Sequence, residues 1–264
     1  MPDIDNRIAK KDGEDMVDAI ILAGEQPIKG LENAGNKALC LINGKMMIEY
    51  VIDAVRMADD IRMVVVVGPK DKLEKCLHGK ADAVVEPGNT VIESIMAGIR
   101  YLNTVKDVLV CTCDIPLITA DAINDFVSRS KALNAEFCYP IVEKSINDVK
   151  YPGMERTYVK TREGRFTGGN IFYINPGALE KGFLLANKFF NARKNPLKMA
   201  RLLSFGFMVR LVLGNLTIRA VEEKVLRISG IKAKAVVSPY PELGQDVDKY
   251  SDLSAASFYL PREE

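Results

Sequence analysis

Two hydrophobic patterns alternate along the first half of this chain. Short, nearly unbroken apolar runs stand at Asp18 to Ala23 (DAIILA), Arg62 to Gly68 (RMVVVVG), Ala81 to Glu86 and Asp107 to Thr112 (DVLVCT). They are brief, rich in Val and Ile, and bounded by turn signals, as expected for buried strands of a parallel sheet. Between them apolar residues recur at helical spacing. One set is Met47, Ile48, Val51, Ile52, Val55 and Met57; another is Val91, Ile92, Ile95, Ile99 and Leu102. A short charged helix is predicted over Lys70 to His78, and a longer one from about Thr119 to Leu133. Strands and helices alternating in this way predict a doubly wound α/β sheet. Right-handed crossovers then bring the loops after Ala23, Gly68, Glu86 and Asp114 to one rim.

The second half changes character. Ala135 to Val142 (AEFCYPIV) reads as a strand, and Pro140 within it predicts an edge or bulged one. Arg156 to Lys160 and Gly169 to Ile174 read as further strands around a turn at Gly164. Pro176 to Ile231 is mostly helical, rich in Phe, Leu and Met, and basic. A strand begins at Ala235, and a helix from Leu253 to Tyr259 follows. Residues 1–17 read as a loose tail, and 18–264 as one domain with a helical elaboration at about 176–231.

Composition narrows the function classes. A chain of 264 residues can bury one large core. A net charge of +1 gives no global reason to expect nucleic acid as a partner. No apolar run approaches the ~20 residues a bilayer-crossing helix needs, and Met1 to Asp18 lacks an apolar leader core. The five cysteines are scattered and mostly sit in apolar runs, which suits reduced thiols and a cytoplasmic location. The single histidine, His78, lies in a polar stretch, which counts against zinc and Ser-His-Asp chemistry. No G-x-G-x-x-G follows the first strand, which counts against a dinucleotide cofactor.

Three places carry candidate chemistry. Asp114 ends an apolar run, at the strand end where open α/β sheets bind ligands, and Pro116 fixes the turn beyond it. Its carboxylate either ligates a hard cation such as Mg2+ or caps the helix that follows. The loop from Gly24 to Lys37 has three glycines and two lysines, Lys29 and Lys37. It lacks the P-loop spacing, yet backbone N–H groups and lysines together suit phosphate oxygens; the alternative is a solvated surface loop. Asp246 and Asp248 point to one side of an extended chain, and Asp252 reads as a helix N-cap.

Taken together these stretches resemble a known family. Leu22-Ala23-Gly24 with Lys37 downstream resembles the L-A-G-G…K signature of nucleotidyltransferases. Cys113-Asp114-Ile115-Pro116-Leu117 resembles their C-D-x-P-L motif, and Asp246-Val247-Asp248 with Asp252-Leu253 their D-x-D-x-P-x-D-L segment. Gly88-Asn89-Thr90 with Ser94-Ile95 and Gly98-Ile99 is similar to the base-holding segment of cytidylyltransferases. The chain thus resembles the MobA-like nucleotidyltransferases, the group of molybdenum-cofactor guanylyltransferases and sugar- or alditol-phosphate cytidylyltransferases. That resemblance implies a GT-A-like three-layer α/β/α sandwich. It implies Mg2+-dependent transfer of a nucleoside monophosphate from CTP or GTP to a small phosphorylated acceptor, with release of pyrophosphate.

The resemblance also assigns roles. Asp114 with Asp246 or Asp248 would hold Mg2+. Lys37, helped by Lys29, would meet the triphosphate, and the N–H groups of Ala23 and Gly24 would cradle it. Gly88, Asn89 and Ser94 would contact the base. Arg156, Lys160 and Asn170 are candidates for the acceptor side. Three departures stand out: Glu25 replaces the family's second loop glycine, the usual loop arginine is absent, and Tyr250 stands where proline is common. Glu25 and the missing arginine motivate one rival, a non-catalytic nucleotide-binding module; a second, a glycosyltransferase of the same fold, would use carboxylates and a divalent ion at the same rim. The 176–231 segment is expected to pack on the sheet or form a homodimer contact. Its alternative role is a surface for anionic membrane or a lipid-linked substrate, through Arg193, Lys194, Lys198 and Arg201.

Overall fold

The structure is a computed structural model describing residues 16–31, 35–192, 202 and 204–262. The apolar runs form the expected strands: β1 (Val17–Leu22), β4 (Ile61–Val67), β5 (Ala83–Val85) and β6 (Val108–Thr112). Two short strands, β2 (Leu41–Ile42) and β3 (Lys45–Met46), make a separate hairpin before α1 (Met47–Met57). The crossover helices are α1, α2 (Lys70–Cys76), α3 (Val91–Leu102) and α4 (Ala120–Leu133). Strand β1 starts at Val17, inside the stretch read as tail; residues 1–15 lie outside those described.

The main sheet runs β5-β4-β1-β6-β10-β7-β9-β8, with β11 also paired to β7. Its first four strands are parallel, with β1 central between β4 and β6. The mixed half contains β7 (Phe137–Glu143), β8 (Val159–Lys160), β9 (Arg165–Gly168), β10 (Ile171–Ile174) and β11 (Ala233–Ser238). Strand β10 runs antiparallel to both β6 and β7, so β7 points the same way as the parallel set. Helix α5 (Lys144–Lys150) follows β7 directly, and α6 (Pro176–Ala192), α7 (Phe205–Val212), α8 (Ile218–Ser229) and α9 (Tyr250–Tyr259) complete the chain.

Alternation along the strands sends side chains into two separate cores. Ala19, Ile21, Val64, Val66, Leu109 and Cys111 pack with α1 and α4, including the fully buried Phe126. Ile20, Leu22, Val65, Val67, Val108 and Val110 pack with α3 and, through Leu179, with α6. The result is the three-layer α/β/α sandwich of the GT-A-like class. Helix α3 approaches β1 closely because Gly98 faces it: a Cβ there would stand 2.9 Å from Ile20 Cδ1.

Caps fix the helix ends that face the rim. Thr90 accepts the N–H of Glu93 at the start of α3, and Thr119 accepts that of Ala122 at the start of α4. The second of these settles one sequence ambiguity, since Thr119 and not Asp114 caps α4.

Pro140 does not mark an edge. Strand β7 is interior, with β11 on one side and β10 and β9 on the other. The carbonyl of Pro140 accepts the N–H of Gly169 at 2.9 Å, on the side where β7 changes partner from β10 to β9. The missing proline N–H therefore falls at a break in the ladder, where it costs no sheet hydrogen bond. Several boundaries also move. The RTYVK strand shrinks to Val159–Lys160, the last strand lengthens to Ala233–Ser238, and the final helix starts at Tyr250. Arg193, Lys194, Lys198 and Arg201 lie outside the described residues. No described helix is long and apolar enough to cross a membrane.

The cysteines test this burial. Cys76 is exposed and Cys40 half-buried, whereas Cys111, Cys113 and Cys138 are buried. Burial, with the Asp114 carboxylate adding to it, pushes the Cys111 thiol up to about 12. Since the thiolate is the reactive form, Cys76 is expected to react first with Ellman's reagent, and Cys111, Cys113 and Cys138 only at the rate of unfolding. Fast modification of Cys111 in the native protein would contradict the sheet order.

Candidate active site

Strand β6 delivers Asp114 to the rim. The backbone of the next residues stays tied to the sheet: Cys113 N–H donates to the Leu22 carbonyl at 3.0 Å. Thr112 hydroxyl donates to Asp114 Oδ1 and so fixes the rotation of the carboxylate. The Asp114 carbonyl accepts the N–H of Val247 at 2.8 Å, which pins the far segment Asp246–Asp248 beside the strand end. Asp114, Asp246 and Asp248 thereby come together, with one oxygen from each lying within 4.8 Å of the others.

Three carboxylates this close repel one another, and the chain supplies a cation. Lys37 Nζ donates to Asp114 Oδ2 and, at 3.1 Å, to Asp248 Oδ1. Burial alone would push the Lys37 ammonium toward neutrality; the Asp114 carboxylate overrides it and holds the pKa above the ordinary lysine range. Asp246 has its own partner, since Arg156 Nη1 lies 2.6 Å from Asp246 Oδ1. Arg156 also donates to the Asp246 carbonyl at 2.7 Å and to Gln245 Oε1 at 3.1 Å. Even so, burial raises the Asp246 pKa, and Asp114 and Asp248 add to it against Arg156 and the Asn170 side chain. The donor set is all carboxylate oxygen, with Asp248 open to solvent. That fits a hard divalent cation such as Mg2+ and does not fit a soft one.

The loop that carries Lys37 is held at both ends. Lys37 N–H donates to the Gln26 carbonyl at 3.0 Å, and Asn36 caps a single 3-10 turn, Lys37–Leu39, by accepting the Ala38 N–H. Ile28 is fully buried in a third apolar cluster with Leu117 and Val247. Lys29 N–H donates to the Asp248 carbonyl at 2.9 Å, and the Lys29 carbonyl accepts from Tyr250. The loop is thus joined by backbone to the segment bearing the acid pair. Lys29 itself has an exposed side chain on this seam.

Some expected contacts change. Ala23 N–H is already spent on the Val67 carbonyl at 2.8 Å, because β1 still pairs with β4 there. A phosphate cradle could therefore start only at Gly24, where a Cβ would meet nothing within 4 Å. Glu25 turns outward and pairs with Lys72 of α2. The Ser94 hydroxyl donates to the Thr90 carbonyl at 3.0 Å and accepts the Gly88 N–H at 3.1 Å. Asn89 N–H donates to Glu93. Ser94 thus shapes the Gly88–Thr90 turn. Asn170 joins the site beside Asp246, but the methylenes of Lys160 lie against Gly214. Asp252 sits inside the first turn of α9, and its carboxylate accepts the N–H groups of Asp248 and Lys249.

Comparison with known proteins agrees with this geometry. A model of the MobA-like NTP transferase domain matches residues 19–178. The chain belongs to this family. Nucleotidyl transfer is the reaction class of this transferase. A probable molybdenum cofactor guanylyltransferase of Thermococcus gammatolerans is 24% identical over 155 residues, covering 59% of this chain and 78% of that protein. A solved hypothetical transferase from Thermus thermophilus is 35% identical, with a TM-score of 0.79 over 90% of this chain and 99% of that one. CMP:2-keto-3-deoxy-manno-octonic acid synthetase, solved with CTP, shares the fold at 12% identity, with a TM-score of 0.61 over 92% of this chain and 98% of that one. Asp246 and Asp248 lie beyond the matched residues of the transferase domain, yet fold back onto it.

Sequence reasoning missed Thr112 and Lys72, and placed Arg156 on the acceptor without its bond to Asp246. Arg156 stands in an irregular segment, where no periodicity marks its target. If Lys37 balances the acid cluster, Lys37→Met leaves the carboxylates without that cation. The variant is expected to bind Mn2+ more tightly than wild type in the absence of nucleotide. It should bind NTP roughly ten- to a hundredfold more weakly, the worth of a charge-assisted hydrogen bond. Electron paramagnetic resonance and nucleotide titration read the two effects separately. Unchanged Mn2+ affinity would refute the balance.

Proposed function

We propose that this protein transfers a nucleoside monophosphate from CTP or GTP to a small phosphorylated acceptor, releasing pyrophosphate. The observation that carries this reading is the Lys37 ammonium held between Asp114 and Asp248, beside a third carboxylate and a glycine-bearing loop. A lysine so placed can pass from carboxylate to phosphate oxygen as nucleotide enters. Asp114, Asp246 and Asp248 are the residues that would hold Mg2+, which when bound neutralises charge on the reacting phosphates.

The remaining roles follow from position. Gly24 and the residues after it face the triphosphate, with Lys29 on the same seam. Lys37, released from Asp114, stabilises charge on the leaving pyrophosphate. The turn Gly88-Asn89-Thr90, held by Ser94, is the base-side wall. An oxygen of the acceptor phosphate attacks the α-phosphorus, a new P–O bond forms, and the bond to the β-phosphate oxygen breaks. An acceptor phosphate dianion brings no proton to remove, so a general base is not required. Arg156 and Asn170 orient Asp246 from the acceptor side.

The resemblance of the Gly88–Ile99 segment to cytidylyltransferases favours CTP. The likeness to a probable guanylyltransferase of Thermococcus favours GTP. Direct competition between the two nucleotides decides the base without touching the reaction class. The pairing of Glu25 with Lys72 offsets one of the two departures, Glu25 and the missing loop arginine, that motivated a non-catalytic module.

Asp114→Asn is nearly isosteric and is expected to preserve the fold. It should lower turnover by on the order of 10²-fold or more, as loss of other transition-state electrostatics does. Pyrophosphate release from CTP and GTP, with and without Mg2+ and over a panel of phosphorylated acceptors, measures this. Full activity of the variant would remove Asp114 from the mechanism, and absence of pyrophosphate release from wild type would overturn the reading.

A further inference from the structure

Strand β7 has two unlike faces. Cys138, Pro140 and Val142 are buried on one. Phe137, Tyr139 and Ile141, on the other, are only half-buried although two helices lie over them. Helix α8 is amphipathic, and Ile218, Val221 and Val225 turn toward this face, yet none of its residues is buried. Between helix and sheet lies a trough in two adjoining parts. The first has a volume of about 380 Å3 and is walled by α3, α6 and α8, with Ile95, Phe172, Leu179 and Ala186 among its lining residues. The second, of about 340 Å3, includes Tyr139, Phe166 and Gly168, and the two share Phe137, Val225 and Ala233. Each volume falls in the range of small-molecule sites, roughly 300–1,000 Å3.

The trough is apolar and nearly free of unbalanced charge. Glu222 pairs with Lys234 at 2.5 Å and also accepts the Ala235 N–H, and Glu136 accepts the Lys232 N–H. Its floor is a row of stacked rings: Phe137 on Phe172 at 5.9 Å between centroids, and Phe172 on Tyr139 at 5.7 Å. That row ends at Tyr139, beside Gly168. The Tyr139 hydroxyl lies against Gly168, where a Cβ would stand 1.5 Å from it, and Asp246 acts electrostatically on the same hydroxyl. Gly168 is two residues from Asn170, whose side chain lies beside Asp246. The trough thus ends at Tyr139 and Gly168, next to the strand end that carries Asn170 toward Asp246.

We propose that the acceptor carries an apolar chain, acyl or prenyl in character, which lies in this trough while its phosphate faces Asp114 and Asp246. The proposal rests on the nucleotidyl-transfer reading of the same rim. A phosphate at one end and an uncharged chain at the other match the rim and the trough: cation-bearing acids at the first, stacked rings and aliphatic side chains in the second. Burial of each methylene favours binding, so chain length should set affinity.

The test uses the full chain and two probes, dodecyl phosphate and methyl phosphate, titrated calorimetrically below the micellar concentration of the first. Dodecyl phosphate is expected to saturate at one per chain and to bind at least about tenfold tighter than methyl phosphate. Ala233→Phe and Ala186→Phe each place a ring in the trough and should abolish that difference. Circular dichroism identifies either variant if it fails to fold, and the other then carries the comparison. Equal affinity of the two probes for a wild-type chain that binds NTP would overturn the proposal and leave the trough as loose packing. Saturable dodecyl phosphate binding by a chain that binds no NTP would overturn the transfer reading, and with it the assignment of this ligand as acceptor.

Discussion

Three carboxylates at a half-buried rim need positive charge among them, and much of this fold is arranged to bring it there. Like charges a few ångströms apart in a medium less polarisable than water cost several kcal/mol. Arg156 answers for Asp246, and Lys37 for Asp114 and Asp248. Neither cation is close in sequence to the acids it serves. Lys37 arrives on a loop that leaves β1, the strand beside β6, so parallel pairing sets the distance between lysine and Asp114. Arg156 arrives from the mixed half of the sheet. The acid cluster is consequently a joint product of both halves, and neither half alone supplies both cations.

The same constraint explains why the loop is so firmly stitched. A mobile loop would deliver Lys37 with an entropic penalty each time nucleotide left. Here Ile28 is sunk into the core, Lys37 is bonded to Gln26, and Lys29 pairs with the Asp248 backbone. The acid segment and the lysine loop are therefore positioned by one another. Such mutual placement holds the charged groups ready before substrate arrives, which is the condition under which electrostatic stabilisation is strongest.

What the sequence made legible follows from local physics. The Val-rich runs predicted β1, β4, β5 and β6, because strands buried on both faces have little choice of composition. Asp114 and Lys37 were legible because a strand end and a glycine-bearing loop constrain their surroundings. Pro140 misled because proline excludes a hydrogen bond only on the side its N–H would face, and here that side is a break in the ladder. Ala23 misled because its position beside the loop hides a last hydrogen bond to Val67. Arg156, Thr112 and Lys72 lack a periodic signal, since their roles depend on contacts across distant parts of the chain. Asp252 is not the N-cap read from the sequence: Lys249 takes that position, and Asp252 serves from within the first turn, where it accepts two backbone N–H groups.

The two halves of the sheet also differ in how completely they are covered. Around β1 both faces are sealed: Ile20 and Ile21, adjacent and opposite in direction, are each fully buried. Around β7 one face is sealed and the other stays half-open beneath α8. Parallel strands flanked on both sides by tight crossover helices leave little room for a ligand within the layers, so binding is confined to their rim. Antiparallel β10 breaks that regime. It returns the chain without a crossover helix, and the helices after it, α6 and α8, come from the segment that diverges in composition from the rest. On the proposed reading, Lys37 and Asp114 take their positions from the regular half, where geometry is fixed by packing. The half whose cover is incomplete is where side chains can change without disturbing the positions of Lys37 and Asp114, which suits it to the proposed acceptor side.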